Sequence, residues 1–436
     1  MRNKFTCSVE HISEKVKNDS YLRLTMAKKI SFLLGAGFSC PAGYPTASDL
    51  SKKIADKIQS FVVREEQSVE RNLFEFYEIV KTLRKDADFD YEWFYDSITF
   101  VTDALTKYSN CIKFFGSKGE ELLSDRTPLM EVLEKKGVLL EDMSKIKGLY
   151  SDITRSFLAP DECKVAKAAC YRDFIDFLVL LRTQGCEIEI HTLNHDLLLE
   201  GLLRDGHLEF SDGYAYPKNS EVVVAYEGGG FSSEKVFARV FNSQNFDSQI
   251  NLCKLHGSLD SYWVCDIASE YTVLGFENSV KVVSKCSKEP VFSRGHFVEG
   301  SFRFVEDCGV VVAGHSDFLT GTTSKLRQYG ERHYKVMFRK FEENIRNADA
   351  IIVIGYGWRD LVINDVLKKI KHGCRVVSVC DKDNARVKDV LDGSLPSEDP
   401  NDISCDDMCS LPDLEFSRLE DVNYRNVANL LEVCSK

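Results

Sequence analysis

Short, continuous apolar runs recur along this chain, separated by segments in which apolar residues have helical spacing. Continuous runs, as opposed to alternating ones, are typical of parallel strands that are covered on both faces. The clearest runs are Lys29–Leu34, Glu187–Thr192, Val310–Ala313, Ala350–Ile354 and Arg375–Val379. Because strands alternate with helices, the pattern predicts an α/β fold with a mostly parallel sheet and right-handed crossovers.

Four helices are predicted beside these strands. They cover Thr46–Phe61, Asp196–Arg204, Arg332–Asn347 and Asp360–Lys371. Thr46 or Ser48 lies at the start of the first helix, and Gly373 follows the last one, as the residue preferences of helix ends predict.

Residues 62–186 differ from the rest because they contain few Gly or Pro residues and no strong strand run. They predict a helical subdomain inserted between the first two sheet strands. Residues 205–300 show β-like alternation and turn signals. The predicted organisation is an N-terminal extension (1–28), the two parts of the α/β domain (29–61 and 187–392), the helical insertion (62–186) and an acidic C-terminal tail with a candidate terminal helix (393–436).

The composition is that of a globular protein, with 44% hydrophobic and 28% charged residues among 436, which excludes collagen-like and wholly disordered chains. The formal net charge is -12. Residues 381–420 hold 12 Asp or Glu and 4 Lys or Arg, a net of -8. Such a chain is a poor candidate for binding DNA or an anionic membrane by itself. We therefore expect no direct membrane contact, and contact with nucleic acid only through a partner.

Fifteen cysteines are scattered along the chain without any CxxC pair. The N-terminus has no apolar signal core, and no apolar run approaches the roughly 18 residues that a membrane span needs. We expect a soluble, cytoplasmic protein whose cysteines are reduced and mostly buried.

The first predicted strand leads directly into the glycine turn Gly35-Ala36-Gly37-Phe38-Ser39. A strand, a glycine turn and a helix in this order can present backbone N–H groups to a phosphate. The full GxGxxG pattern is absent, however, so the turn taken alone is also compatible with a plain connection between strand and helix.

Polar residues follow the other predicted strands, at the carboxyl edge where α/β sheets bind ligands. Each has a structural alternative, because Asn194, Asp196 or Asp360 can cap a helix and a lone histidine is more often structural. The candidates are Thr192, Asn194 and Asp196 after the second strand, His256 in a loop after an apolar stretch, Gly355 and Tyr356 after the strand at 350, and Asp381 after the last strand.

The motifs GAGFS and GYP, TLNHD, LHGS and ADAIIVIGYGWRD, in this order, resemble the sirtuin-like family. The resemblance covers residues 29–50 and most of 187–392. The helical insertion and the missing deacetylase parts make the chain similar to the bacterial anti-phage branch, whose members consume NAD. The resemblance implies a Rossmann-like, mostly parallel sheet of sirtuin type with a helical inserted subdomain.

The resemblance also implies roles for single residues. Asn194 and His256 match the catalytic residues, and NAD is the substrate. The NAD-binding residues that it implies are Gly35, Ala36, Gly37, Ser39, Thr192, Asp196, Gly355, Tyr356 and Asp381.

Two departures from the sirtuin pattern bear on the activity. The structural zinc module of deacetylating sirtuins, two CxxC pairs after the catalytic His, is missing, since Cys265, Cys286 and Cys308 follow His256 singly. We therefore expect no metal. The Asp-Phe-Arg that follows the sirtuin turn is replaced by Thr46-Ala47-Ser48. Both departures favour hydrolysis of NAD⁺ over acyl-lysine chemistry.

We therefore predict an NAD⁺ glycohydrolase that releases nicotinamide and ADP-ribose, linear or cyclic, and acts as the effector of anti-phage defence by depleting NAD⁺. An NAD-dependent deacylase or ADP-ribosyltransferase is the alternative, as is a non-catalytic NAD or ADP-ribose sensor. About 44 residues follow position 392, too few for a sensing domain. Control is therefore expected from homo-oligomerisation or from a partner such as a HerA-type ATPase or another phage sensor, with residues 62–186 as the contact surface.

Overall fold

The computed structural model describes part of the chain. The described residues are 29–65, 68–84, 89–102, 140–159, 164, 168–215, 221–226, 232–264, 278–282, 291–292, 295–298, 301–304, 312–313, 316–318 and 332–379. The predictions for 1–28, for the tail at 393–436 and for Asp381 lie outside these residues.

The strands are numbered in chain order. They are β1 (Lys29–Leu34), β2 (Glu187–Thr192), β3 (Tyr214–Ala215), β4 (Glu221–Tyr226), β5 (Ser232–Phe241), β6 (Ile250–Lys254), β7 (Gly257–Val264), β8 (Asn278–Val282), β9 (Val291–Phe292), β10 (Gly295–Val298), β11 (Ser301–Phe304), β12 (Val312–Ala313), β13 (Ser316–Phe318), β14 (Ala350–Ile354) and β15 (Arg375–Val379).

The helices are numbered in the same way. They are α1 (Ala36–Ser39), α2 (Ala47–Gln59), α3 (Val69–Arg84), α4 (91–102), α5 (Leu140–Leu158), α6 (Arg172–Thr183), α7 (Leu198–Asp205), α8 (Arg332–Asn347) and α9 (Leu361–Leu367). Short 3₁₀ turns at Cys40–Ala42 and Ala168–Tyr171 flank α1 and α6. None of the described helices is long and apolar enough to cross a membrane.

A five-stranded sheet in the order β15-β14-β1-β2-β6 forms the centre of the α/β part. All four neighbouring pairs are parallel. Helices intervene between the strands along the chain, and the predicted mostly parallel, Rossmann-like α/β fold is thus confirmed. β1, β2, β14 and β15 have the predicted bounds.

The fifth strand of this sheet is not the one that the sequence predicts. Of the run at Val310–Ala313, Val312 and Ala313 form β12, which pairs antiparallel with β9 in a second sheet. The central sheet instead takes β6, with Asn251 and Lys254 buried in it. The prediction was wrong because it expects a buried strand to be a continuous apolar run, and these two polar residues interrupt the run in β6.

The two faces of the central sheet are covered by different helices. Ile30, Phe32 and Leu34 alternate onto one face, where they share a core with α6 and α7. Leu33 lies on the other face, with α8 and α9. Both faces are buried, and this explains the continuous apolar runs of the strands.

Between β1 and β2, the helices have a core of their own. Buried residues of α2, α3, α4 and α5 form one cluster, which includes Leu50, Phe76, Phe94 and Tyr150. Thr46 is the N-cap of α2, as predicted, and forms a reciprocal capping box with Asp49. The domain boundaries themselves remain a prediction.

Most of the described strands between β2 and α8 form an antiparallel sheet, whereas β6 belongs to the central sheet and β10 pairs only with β11. The strand order of the antiparallel sheet is β12-β9-β4-β5-β8-β7-β13, with β3 paired to β5. β7 follows β6 after only two residues, Leu255 and His256. His256 therefore lies at the point where the chain passes from the parallel sheet to the antiparallel one.

Candidate functional site

The turns that follow β1 and β14 pack directly against each other. The Gly35 N–H donates to the Ile354 carbonyl and the Gly37 N–H to the Gly355 carbonyl, both at 2.9 Å. A Cβ on Gly355, whose φ is +63°, would lie 2.2 Å from the Phe38 nitrogen. The glycines are therefore required for a close backbone contact. The N–H groups of Gly35 and Gly37 are used within the protein.

Asn194 follows β2 and joins this glycine contact to the next loop. Its Nδ2 donates to the Gly35 carbonyl at 2.9 Å and to the Ser39 hydroxyl at 3.0 Å. Its backbone N–H donates to Thr192 Oγ1 at 3.1 Å. Because both amide hydrogens are used, Oδ1 is the side-chain atom that Asn194 can offer to a ligand, as an acceptor.

Asp196 is buried two residues further on. Its Oδ1 accepts from the Leu198 N–H at the start of α7, at 3.0 Å. Burial raises the pKa of the Asp196 carboxyl, whereas the Lys254 ammonium, the Ser39 hydroxyl and the Leu198 N–H lower this pKa. Asp196 thus binds the first N–H of α7 from two residues before the helix, whereas the N-cap residue is Leu197.

His256 reaches across the edge of the sheet to the loop after β14. Its Nε2 lies 3.4 Å from Oδ2 of Asp360, and both side chains are largely buried. The other oxygen of Asp360 accepts from the N–H groups of Val362 and Ile363 and caps α9. One carboxylate thus caps a helix through one oxygen and lies within ion-pair distance of the imidazole through the other.

These contacts form a closed circuit around the carboxyl edge. The β1 turn contacts the β14 turn through Gly37 and Gly355, and contacts the β2 loop through Asn194. β2 and β6 pair with Thr192 opposite Lys254, and His256 returns to Asp360. Asn194 and His256 each lie two residues beyond that strand pair. The structure therefore brings the two predicted catalytic residues to neighbouring strand ends.

The other predicted binding residues have different environments. Thr192 and Ser39 are buried and hold Asn194, whereas Ala36 is half-buried. Tyr356 packs on Trp358, and its hydroxyl donates to Asn364 Oδ1 at 2.8 Å. Burial raises the pKa of the Tyr356 hydroxyl. All these assignments to NAD contacts remain predictions.

Three residues of this edge were missed as site residues. The sequence predicts Asp360 only as a helix cap, because a capping aspartate gives no sign of a histidine 104 positions earlier. Lys254 and Glu200 form a buried ion pair of 3.0 Å next to Asp196. The available signal was the position of Lys254 two residues before His256.

Among the described residues, no group of three or more His, Cys, Asp or Glu side chains could hold a metal ion. Cys265, Cys286 and Cys308 lie outside those residues. A cavity of about 370 Å³ lies beside the turn at Gly43–Pro45 and the start of α2. Neither Asn194 nor His256 lines it, so it carries no argument about the site.

Comparison with known proteins gives matches among solved structures. No protein-family model and no curated protein matches the chain. A structure described as the basis for the mechanism and regulation of Sir2 enzymes aligns with 11% identity and a TM-score of 0.35, over 97% of this chain and 98% of that one. A mutant Sir2 homologue in complex with ADP-ribose aligns with 12% identity and a TM-score of 0.35, over 94% of each chain.

A third structure, described as the structural basis for sirtuin substrate affinity, aligns with 12% identity and a TM-score of 0.30, over 85% of this chain and 92% of that one. At these values the superpositions are loose. The α/β assignment rests on the strand order and register of the central sheet, and the site rests on its own contacts.

Proposed function

We propose that this protein is an NAD⁺ glycohydrolase. The observation that carries the proposal is the circuit at the carboxyl edge, where the Asn194 amide and the His256–Asp360 pair lie on neighbouring loops. The resemblance of TLNHD and LHGS to sirtuin motifs indicates that the substrate is NAD⁺. The carboxyl edge of a parallel sheet is also the usual place for a dinucleotide.

The reaction needs few groups from the protein. The bond between nicotinamide and ribose breaks, its electron pair leaves with nicotinamide, and the ribose carbon becomes cationic, as in glycoside hydrolysis. Water then adds to that carbon and loses one proton, so that NAD⁺ and water give ADP-ribose, nicotinamide and H⁺. Nicotinamide leaves as a neutral molecule, so no general acid is required.

The described side chains can supply the remaining requirements. Asn194 Oδ1 is an acceptor that can orient the water or a ribose hydroxyl, because both N–H groups of this amide are engaged. His256, which lies beside the Asp360 carboxyl group, can accept the proton that the water releases. The Asp196 carboxyl, whose pKa is raised by burial, can add negative charge near a cation-like sugar only when it is ionised.

The decisive experiment is NAD⁺ turnover by the purified protein, followed as nicotinamide and ADP-ribose by chromatography. Asn194→Ala and His256→Ala should each lower kcat at least about a hundredfold. Asn347→Ala and His372→Ala remove the same side chains at exposed positions and should retain the wild-type rate. Equal activity in all four variants would overturn the assignment of the site.

Two other outcomes identify the alternatives. Nicotinamide release that requires an acyl-lysine peptide identifies a deacylase, and transfer of ADP-ribose to a protein identifies a transferase. Binding of NAD⁺ without turnover by the wild-type protein identifies a sensor or an enzyme that awaits its activator.

We also propose that the enzyme acts as an anti-phage effector, gated through the helical segment by self-association or by a partner such as a HerA-type ATPase. The contacts of that segment support gating. Arg155 of α5 donates to the Leu259 carbonyl at 2.9 Å, three residues after His256. Leu197 in the β2–α7 loop packs on the same helical core. Phage challenge of bacteria that express wild-type or Asn194→Ala protein, with cellular NAD⁺ measured, tests this role.

A further inference from the structure

Lys254 is a charged residue that the reaction outlined above does not use. It is the last residue of β6 and pairs in register with Thr192, the last residue of β2. Its Nζ lies 3.0 Å from Glu200 Oε1 and also donates to the main-chain oxygen of Asp196. The side chains of Lys254 and Glu200 are 3% and 4% exposed. The Lys254 ammonium therefore links β6, the strand that precedes His256, to the loop that carries Asn194.

We propose that Lys254 is a positioning residue of this site, which fixes the loop that carries Asn194. This inference rests on the proposed function for its catalytic consequence. The part of the proposal that concerns the arrangement of the loop can be measured independently of any activity.

A buried ion pair is an expensive way to attach a helix to a strand. Two apolar side chains of similar volume often hold such a contact equally well, because the charges must first be desolvated. An apolar pair cannot donate a hydrogen bond to the Asp196 main-chain oxygen, whereas the ammonium does. The contribution that is specific to Lys254 is thus the orientation of residues 193–197.

The charge of Lys254 has a second effect, on Asp196. The groups that face Asp196 are Lys254 from β6, Glu200 from α7, Ser39 from α1 and Tyr171 from the turn before α6. Lys254 is the cation among these four. Without it, burial and the negative charge of Glu200 both favour the protonated carboxyl. Removal of Lys254 should therefore raise the pKa of Asp196 further.

The test separates the position of the loop from simple stability. Lys254→Met leaves Glu200 buried and unpaired, and we expect it to destabilise the protein. The double variant Lys254→Met with Glu200→Leu removes both charges and should regain most of the wild-type unfolding midpoint. Lys340→Met is the matched control, because Lys340 pairs with the buried Glu189 at 3.7 Å on the other face of β2.

We expect hydrogen exchange of residues 193–198, measured without ligand, to be at least tenfold faster in the double variant than in the wild type or in Lys340→Met. We also expect kcat for NAD⁺ to fall at least tenfold with KM within twofold, and the acid limb of kcat to move to higher pH. Unchanged exchange, or wild-type kcat with faster exchange, overturns the proposal. A wild-type protein that does not cleave NAD⁺ defeats the proposed function, while hydrogen exchange still decides the role of Lys254.

Discussion

The carboxyl edge of the central sheet is built in two different ways. The ends of β1 and β14 meet backbone to backbone, with Gly35, Gly37 and Gly355 in contact. The ends of β2 and β6 are joined by buried side chains, which include the ion pair of Lys254 and Glu200. The first half leaves no room for a side chain at these three glycines, whereas the second half depends on side chains.

The difference has consequences for how each half responds to change. A backbone contact of glycines carries no titratable group, so it is insensitive to pH and intolerant of added atoms. A buried side chain can be replaced by another of similar size, but the contact is sensitive to a change in the charge of that side chain. Asn194 and His256 both lie in the second half, next to groups whose protonation can change. The β1–β14 half thus supplies a fixed backbone geometry, and the β2–β6 half carries the two candidate catalytic side chains.

Gly355→Ala should have the largest effect on this comparison. The new Cβ would lie 2.2 Å from the Phe38 nitrogen, and φ at this position is +63°. Both the clash with backbone and the left-handed conformation oppose alanine. We expect a loss of unfolding free energy of about 3–5 kcal/mol, measured by chemical denaturation. Gly357→Ala is the control, since nothing lies within 4 Å of its added Cβ. Similar losses in both variants would refute the backbone-contact explanation.

Asp360→Asn tests the link between the two halves. Asparagine caps helices as well as aspartate does, so α9 should remain stable. The carboxylate that lies 3.4 Å from His256 Nε2 is removed, however, and His256 loses its ion-pair partner. We expect kcat for NAD⁺ to fall about a hundredfold, equivalent to about 2.7 kcal/mol, with KM within twofold. Asp365→Asn, an exposed change on the same helix, should leave kcat unchanged.

The elements that the sequence predicted well are those whose signals are local. The four apolar strands β1, β2, β14 and β15 were correct, and of the two residues predicted at the start of α2, Thr46 is the N-cap. β6 was missed because Asn251 and Lys254 resemble surface residues. Their burial depends on Glu189 and Glu200, about 60 residues away in sequence. The same reason explains why the pairing of Asp360 with His256 was not foreseen.

The pH dependence of stability should come from the half with side chains. His191 on β2 is fully buried, and desolvation, followed by Lys340 and Lys29, lowers its pKa to about 3. The unfolded chain therefore binds a proton below about pH 6.5 that the folded protein does not bind. This contribution to stability is complete above the unfolded pKa and is lost as the pH falls. Between pH 6.5 and 5 the loss should reach about 2 kcal/mol.

His191→Leu should remove this loss, so that its unfolding free energy falls less steeply with acid than that of the wild type. Denaturation at pH 7, 6 and 5 measures the two slopes. His372→Leu, at an exposed histidine, should keep the wild-type slope. A wild-type slope in His191→Leu would show that His191 is not the group responsible.

Ser39→Ala should have the smallest effect, although Ser39 joins the two halves. Its hydroxyl accepts from Asn194 Nδ2 at 3.0 Å and hydrogen-bonds the Asp196 carboxyl. Asn194 keeps its bond to the Gly35 carbonyl in the variant, so the loss should be about 1 kcal/mol. Ser60→Ala is the control, at an exposed serine that bonds only locally to the Lys57 carbonyl.

A double-mutant cycle of Ser39→Ala with Asn194→Ala decides whether the two halves are coupled through this hydroxyl. Contacting residues in one network usually show a coupling of about 0.5 kcal/mol or more. A value near zero would mean that the Ser39 hydroxyl and the Asn194 amide stabilise the edge independently. A clear coupling would mean that the rigid half holds Asn194 in place for the half that carries the charges.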